Sequence, residues 1–166
     1  MSNQTSEQDS ITVALQLQHL QLNVRLTQEL DALKTQVRNR FFFQTHHHVQ
    51  KIPHLVQDWK EEAANKFFEN REKSGIARTV PLAEAEFDNY CTAMIQNRET
   101  MILNLKLGNV GFEKKIVELQ AKPNELLSDL TIERFKTFTE ARDKMIVNLE
   151  IEKKELVDDY LVRWGY

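Results

Sequence analysis

Residues 129–166 read DLTIERFKTFTEARDKMIVNLEIEKKELVDDYLVRWGY, with apolar side chains at Phe135, Phe138, Met145, Leu149, Leu156, Tyr160 and Trp164. Steps of three, four and seven place these on one face of a helix, and Asp129 or Thr131 can cap its start. No Pro or Gly interrupts the pattern before Gly165, so the spacing predicts a continuous helix about 50 Å long at about 1.5 Å per residue. The pairs Glu140–Lys144, Glu150–Lys154 and Asp159–Arg163 stand four residues apart and mark the solvated face. A helix of that length cannot bury its stripe alone. It needs partners of comparable length, from its own chain or from another copy.

Working back through the chain, the same periodicity recurs. Residues 1–10 are polar and aperiodic, and are expected to form a flexible tail preceding a single helical-bundle domain over 11–166. From Ile11 a second long helix is predicted, through Val13, Leu17, Leu20, Leu22, Leu26, Leu30, Leu33, Val37 and Phe41. The apolar arc over Leu15, Leu17, Leu20, Leu22 and Leu26 is too wide for one seam and calls for two neighbours. Pro53 is expected to stop this helix and open another, with Val56, Trp59, Ala63 and Phe67 inward and Gly75 as its end. Pro81 is expected to open a third, through Phe87, Tyr90, Cys91, Met94, Ile95, Met101, Ile102 and Leu105, which closes at Gly108. A shorter piece between Gly111 and Pro123 precedes the final helix, with residues 125–128 either a separate turn or its beginning. The expected fold is therefore all-α: an elongated bundle of four to five helices with coiled-coil-like first and last helices, these two antiparallel.

Bulk properties narrow the function classes. The chain has 166 residues, 41% of them hydrophobic and 28% charged, with four Gly and three Pro, which fits one folded domain rich in helix. A net charge of −3 from 22 basic and 25 acidic residues provides no global attraction to nucleic acid or anionic lipid. No apolar run approaches the length of a membrane span, and residues 1–10 lack the basic start and apolar centre of a secretory signal. With Cys91 as the sole cysteine no internal disulfide can form, so a cytoplasmic setting is expected.

Two sets of residues are candidates for binding. Phe41, Phe42 and Phe43 point in three directions about 100° apart, so at least one must leave the core face. Together with Tyr160, Trp164 and Tyr166 near the other end of the chain they form the candidate protein-binding set, because large aromatic residues are favoured anchors at interfaces. The alternative is an anion-binding set in the basic segment 32–57, which holds no Asp or Glu: Lys34, Arg38, Arg40, His46, His47, His48 and Lys51. It would suit a nucleic-acid backbone or another polyanion; its plainer reading is a basic helix end followed by a polar loop.

Catalytic and metal chemistry find little footing. Consecutive histidines on a helix diverge too far to share an ion, and the spacing of His54 and Asp58 is common by chance. There is no Cys pair, His-Glu-x-x-His, phosphate loop or Gly-x-Ser-x-Gly. Cys91, beside Tyr90 and Met94 on the apolar side of its helix, reads as a small core residue. No catalytic residue, metal or cofactor is assigned. The expected function is a non-catalytic protein–protein interaction module: a helical scaffold, adaptor or accessory subunit, homo-oligomeric or part of a larger assembly.

Overall fold

A computed structural model describes residues 2–122, 125–163 and 165. Three α-helices account for the secondary structure among these residues: α1 (Ser2–Lys73), α2 (Glu84–Gln120) and α3 (Leu126–Arg163). The all-α class stands, but the count of four to five helices does not. The chain divides into two units, Met1–Phe42 and Phe43–Tyr166, with the boundary inside α1.

The count falls because two expected breaks are absent, one at Pro53 and one between Gly108 and Gly111. Pro53 lies inside α1 rather than at a helix start. It removes one backbone hydrogen bond at a cost of about 3 kcal/mol, yet the ring is exposed, where water can serve the orphaned carbonyl. Gly108 and Gly111 likewise lie inside α2. At Gly108 the missing side chain makes room instead of ending the helix. A Cβ there would fall 2.8 Å from Cζ of Arg142 on α3, whose Nη2 lies 3.4 Å from the carbonyls of both Asn104 and Leu105. Residues 126–128 form the beginning of α3, and Pro123 and Asn124 lie outside the described residues.

In the second unit the end of α1 packs with α2 and α3 as an up-down-up bundle. Thr45 accepts a hydrogen bond from Arg134 at 3.0 Å, and Lys60 pairs with Glu152, so this part of α1 runs parallel to α3. The expectation of antiparallel first and last helices is thus corrected for this unit: two short connections each reverse the chain, which returns the third helix to the direction of the first. α2 runs against both, as Asn97 to the Trp59 carbonyl, Arg98 to Glu152 and Asn109 to Asp143 (2.8 Å) require. The core is Val56 from α1, Met101, Ile102 and Leu105 from α2, and Ile146 and Leu149 from α3, with Trp59 and Met145 packed against it. Leu105 and Leu149 are almost fully buried.

Gly75 ends α1 as its sequence position predicts. At φ 89° it adopts the left-handed conformation, the Gly75 N–H reaches the Glu72 carbonyl and the Ile76 N–H the Arg71 carbonyl, which is a Schellman closure. Buried Arg71 then organises the link. It donates to the carbonyls of Ala77 (3.3 Å), Val80 (2.8 Å) and Pro81 (3.0 Å), and its Nε pairs with Glu86 in the first turn of α2. Glu86 also accepts the Ala83 N–H, capping α2.

Two outcomes follow from this packing. Leu149→Ala should destabilise the bundle by about 2 to 5 kcal/mol, through lost burial and the cavity left behind, read as a lower midpoint in chemical unfolding. The hydrogen bond from Arg71, helped by the Ala83 N–H, holds the Glu86 carboxyl below its usual range. Its contribution to stability is therefore complete above the ordinary glutamate range and is lost as pH falls through the depressed folded value. Glu86→Gln should lower the melting temperature at pH 7 and flatten its fall as pH drops below the ordinary glutamate range.

Candidate association surface

The first unit contains no buried side chain among its described residues; Lys34 and Phe41 are half-buried and all the rest are exposed. Yet it carries eleven large aliphatic residues from Ile11 to Val37, with exposures from 38% at Val37 to 62% at Val13. On a helix, residues turn by about 100° each. Leu26, Leu30, Leu33 and Val37, spaced four, three and four apart, form one seam, and Ile11, Leu15 and Leu22 lie along the same side. Val13, Leu17, Leu20 and Val24, with the same spacing, form a second seam on roughly the opposite side. The cause is local: between 11 and 17, and again between 20 and 26, apolar residues recur at every second position. Alternation of that kind throws successive apolar side chains to opposite faces of a helix. Polar side chains separate the seams, among them Gln16, Gln21, Gln28 and the ion pair of Arg25 with Glu29 at 3.2 Å.

The predicted binding residues fall unevenly on this structure. In the first unit Phe41 is half-buried and Phe42 is 74% exposed; in the second, Phe43 is 73% exposed. Tyr160 is half-buried near the end of α3, while Trp164 and Tyr166 lie outside the described residues. Of the aromatic set, Phe42 and Phe43 are thus the members with large exposure among the described residues. The sequence pattern marks 11–37 as an apolar arc that needs two neighbours, but it does not single out these aliphatic residues as the binding set. The signal that separates them is the every-second-residue alternation.

The basic segment also divides between the units. Lys34, Arg38 and Arg40 belong to the first, and His46, His47, His48 and Lys51 to the second. The histidines stand on helical α1 rather than on a loop. His46 is bonded to Gln50 at 3.1 Å, and His48 meets the ring of Phe138 edge-on at 6.3 Å. Phe138 belongs to an aromatic end of the bundle where Phe112 stacks on Phe135 at 5.2 Å and Arg142 lies over Phe112. A groove there is lined by His48, Ile52, Phe112, Arg134, Phe135, Phe138 and Arg142. His46, His47 and His48 are all exposed, and the His47 and His48 rings lie 6.2 Å apart.

Among the described residues no group of three or more His, Cys, Asp or Glu is placed to hold a metal ion, and no helix is long and apolar enough to cross a membrane. Cys91 is buried against the bundle, and burial pushes its thiol pKa up, with neighbouring Arg163 opposing and Asp88 adding to the shift. No protein-family model matches the chain, and no match was found among curated proteins or solved structures.

Because a thiol attacks an alkylating agent as its thiolate, Cys91 should resist alkylation in the native protein at pH 8 and react stoichiometrically only in denaturant. Mass spectrometry after timed labelling checks this.

Proposed function

We propose that this chain is a non-catalytic protein-association module whose working surface is the aliphatic pair of seams in residues 11–37, acting as a homo-oligomer or as a helical subunit of a larger assembly. One observation carries the reading: eleven large aliphatic side chains stand exposed on the first part of α1, where no described residue up to Phe42 is buried. Scattered apolar side chains on a surface are ordinary, but contiguous stripes are the mark of an interaction face. Fully burying a single leucine contributes about 1.5 to 3 kcal/mol; the side chains of a seam are already about half covered by their own helix, so each contributes a part of that toward offsetting the cost of association. Two seams on opposite sides add a structural demand, since one helical neighbour covers only one of them.

The second unit supports the division of labour. Its core is made from its own three helical segments, so it has a reason to fold that does not involve a partner. The first unit has none, and isolated helices draw most of their stability from packing rather than propensity.

Light scattering on the full chain at low and high salt tests the proposal. The expected result is a species heavier than the 19.5 kDa chain at both salt concentrations, because apolar burial is not screened by ions. Replacing Leu22, Leu26 and Leu30 together by Asp should reduce it to monomer and lower the helical signal while sparing the cooperative unfolding of the bundle. A heavier species that dissolves in high salt would instead place the binding energy on charged residues such as Arg38 and Arg40.

A further inference from the structure

The exposed seam that ends at Val37 has a register that can be written out. Placing Leu30 and Val37 at the a positions of a heptad puts Leu26 and Leu33 at d, and Asn23 one heptad before Leu30, again at a. The residues that flank the seam are then Glu29 at g and Lys34 at e. Glu29 is 59% exposed in its side chain, and its ion pair with Arg25 keeps the carboxylate on that flank.

We propose that the partner of this seam is a second copy of the same chain, laid parallel and in register as a two-stranded coiled coil. The inference rests on the association reading above and names its occupant. Its warrant is charge complementarity within a single sequence. In a parallel, in-register pair each g residue lies beside the e residue of the following heptad on the other strand. Glu29 of one copy therefore meets Lys34 of the other, and two-fold symmetry makes the same contact a second time. An antiparallel pair that layers Leu30 on Leu33 brings g beside g and e beside e. Glu29 then lies near Gln36, and Lys34 near Thr27, so neither charge gains an opposite.

The seam residues point the same way. Leucine at d with a β-branched residue at a favours two strands; Leu26 and Leu33 at d and Val37 at a conform, while Leu30 at a departs from it. Asn23 at a is the residue type that sets register, since its amide pairs with its own counterpart only when the two copies are aligned. A foreign helix would have to reproduce this whole pattern, whereas a second copy carries it by construction.

Disulfide trapping in the full chain provides the test. Leu26→Cys and Leu33→Cys are made singly, with wild type as the control because Cys91 is buried. Two d positions of a parallel pair come within the roughly 4.4 to 6.8 Å Cα separation that a disulfide spans. Under mild oxidation both variants should give a covalent dimer on a denaturing gel, and wild type none. Charge variants check the same geometry without touching the seam. Glu29→Lys and Lys34→Glu should each weaken self-association by about tenfold, and the double variant should bind more tightly than either single one, short of wild type by the lost Arg25–Glu29 pair. An assembled protein that cross-links at one position or neither, or whose affinity ignores both single charge changes, overturns the parallel self-pairing and leaves the association reading standing. A chain that is monomeric at every concentration overturns both.

Discussion

The buried guanidinium of Arg71 is the point on which the second unit turns. A charged group taken out of water is tolerated only when its donors are occupied, and here three carbonyls of the link and the Glu86 carboxylate occupy them. Those partners lie beyond the Schellman turn at Gly75. Satisfying the arginine therefore fixes the path of residues 74–83 and brings the first turn of α2 back beside the last turn of α1. The antiparallel course of α2 places Met101, Ile102 and Leu105 opposite Val56, and α3 closes the third side with Ile146 and Leu149. Salt bridges along the flanks, such as Lys60 and Arg98 sharing Glu152, follow from that placement. They are worth little individually where exposed.

Helical periodicity was the part of this architecture that could be read directly. Met101, Ile102, Leu105 and Leu149 were legible as inward positions from spacing alone, and so was the stop at Gly75. Pro53, Gly108 and Gly111 misled because each residue type has more than one use. A proline breaks a helix only if no compensation is at hand, and exposure together with packing on the following turns supplies it. A glycine in a helix marks a terminus when it adopts positive φ, as Gly75 does, but it marks close approach when a large side chain crosses it, as Arg142 crosses Gly108. That distinction depends on a residue of another helix and is invisible in local sequence.

The candidate surface was harder to see for a related reason. Phe41–Phe43 and the terminal aromatics drew attention because large aromatic residues dominate known interfaces, whereas the leucines of 11–37 look like ordinary core. Whether a stripe is core or surface depends on whether the same chain supplies its cover. α2 and α3 are occupied with the end of α1, through contacts such as Phe67 with Tyr90 and His48 with Phe138. The residues that cover Val56 are thereby committed, and the exposure of Leu26 and Leu30 records that they have no such cover.

An exposed stripe of this size would ordinarily be an aggregation hazard, and its layout bears on how such a fate is avoided. A helix with one wide apolar arc accepts many neighbours at many angles. Two narrow seams, each of four residues at a/d spacing and separated by Gln16, Gln21, Gln28, Arg25 and Glu29, restrict each neighbour to one rotation about the helix axis. Charge at Glu29 and Lys34 then discriminates direction on one seam, while the other, Val13 to Val24, is bordered by uncharged Gln and Asn and accepts a neighbour on shape alone. On the proposed reading the two seams are therefore unequal: the charged one selects a specific, oriented partner, and the neutral one joins units already formed. Because helix formation in residues 2–42 has no internal core to support it, ordering and association share the same apolar burial, and the helix becomes more stable as concentration rises.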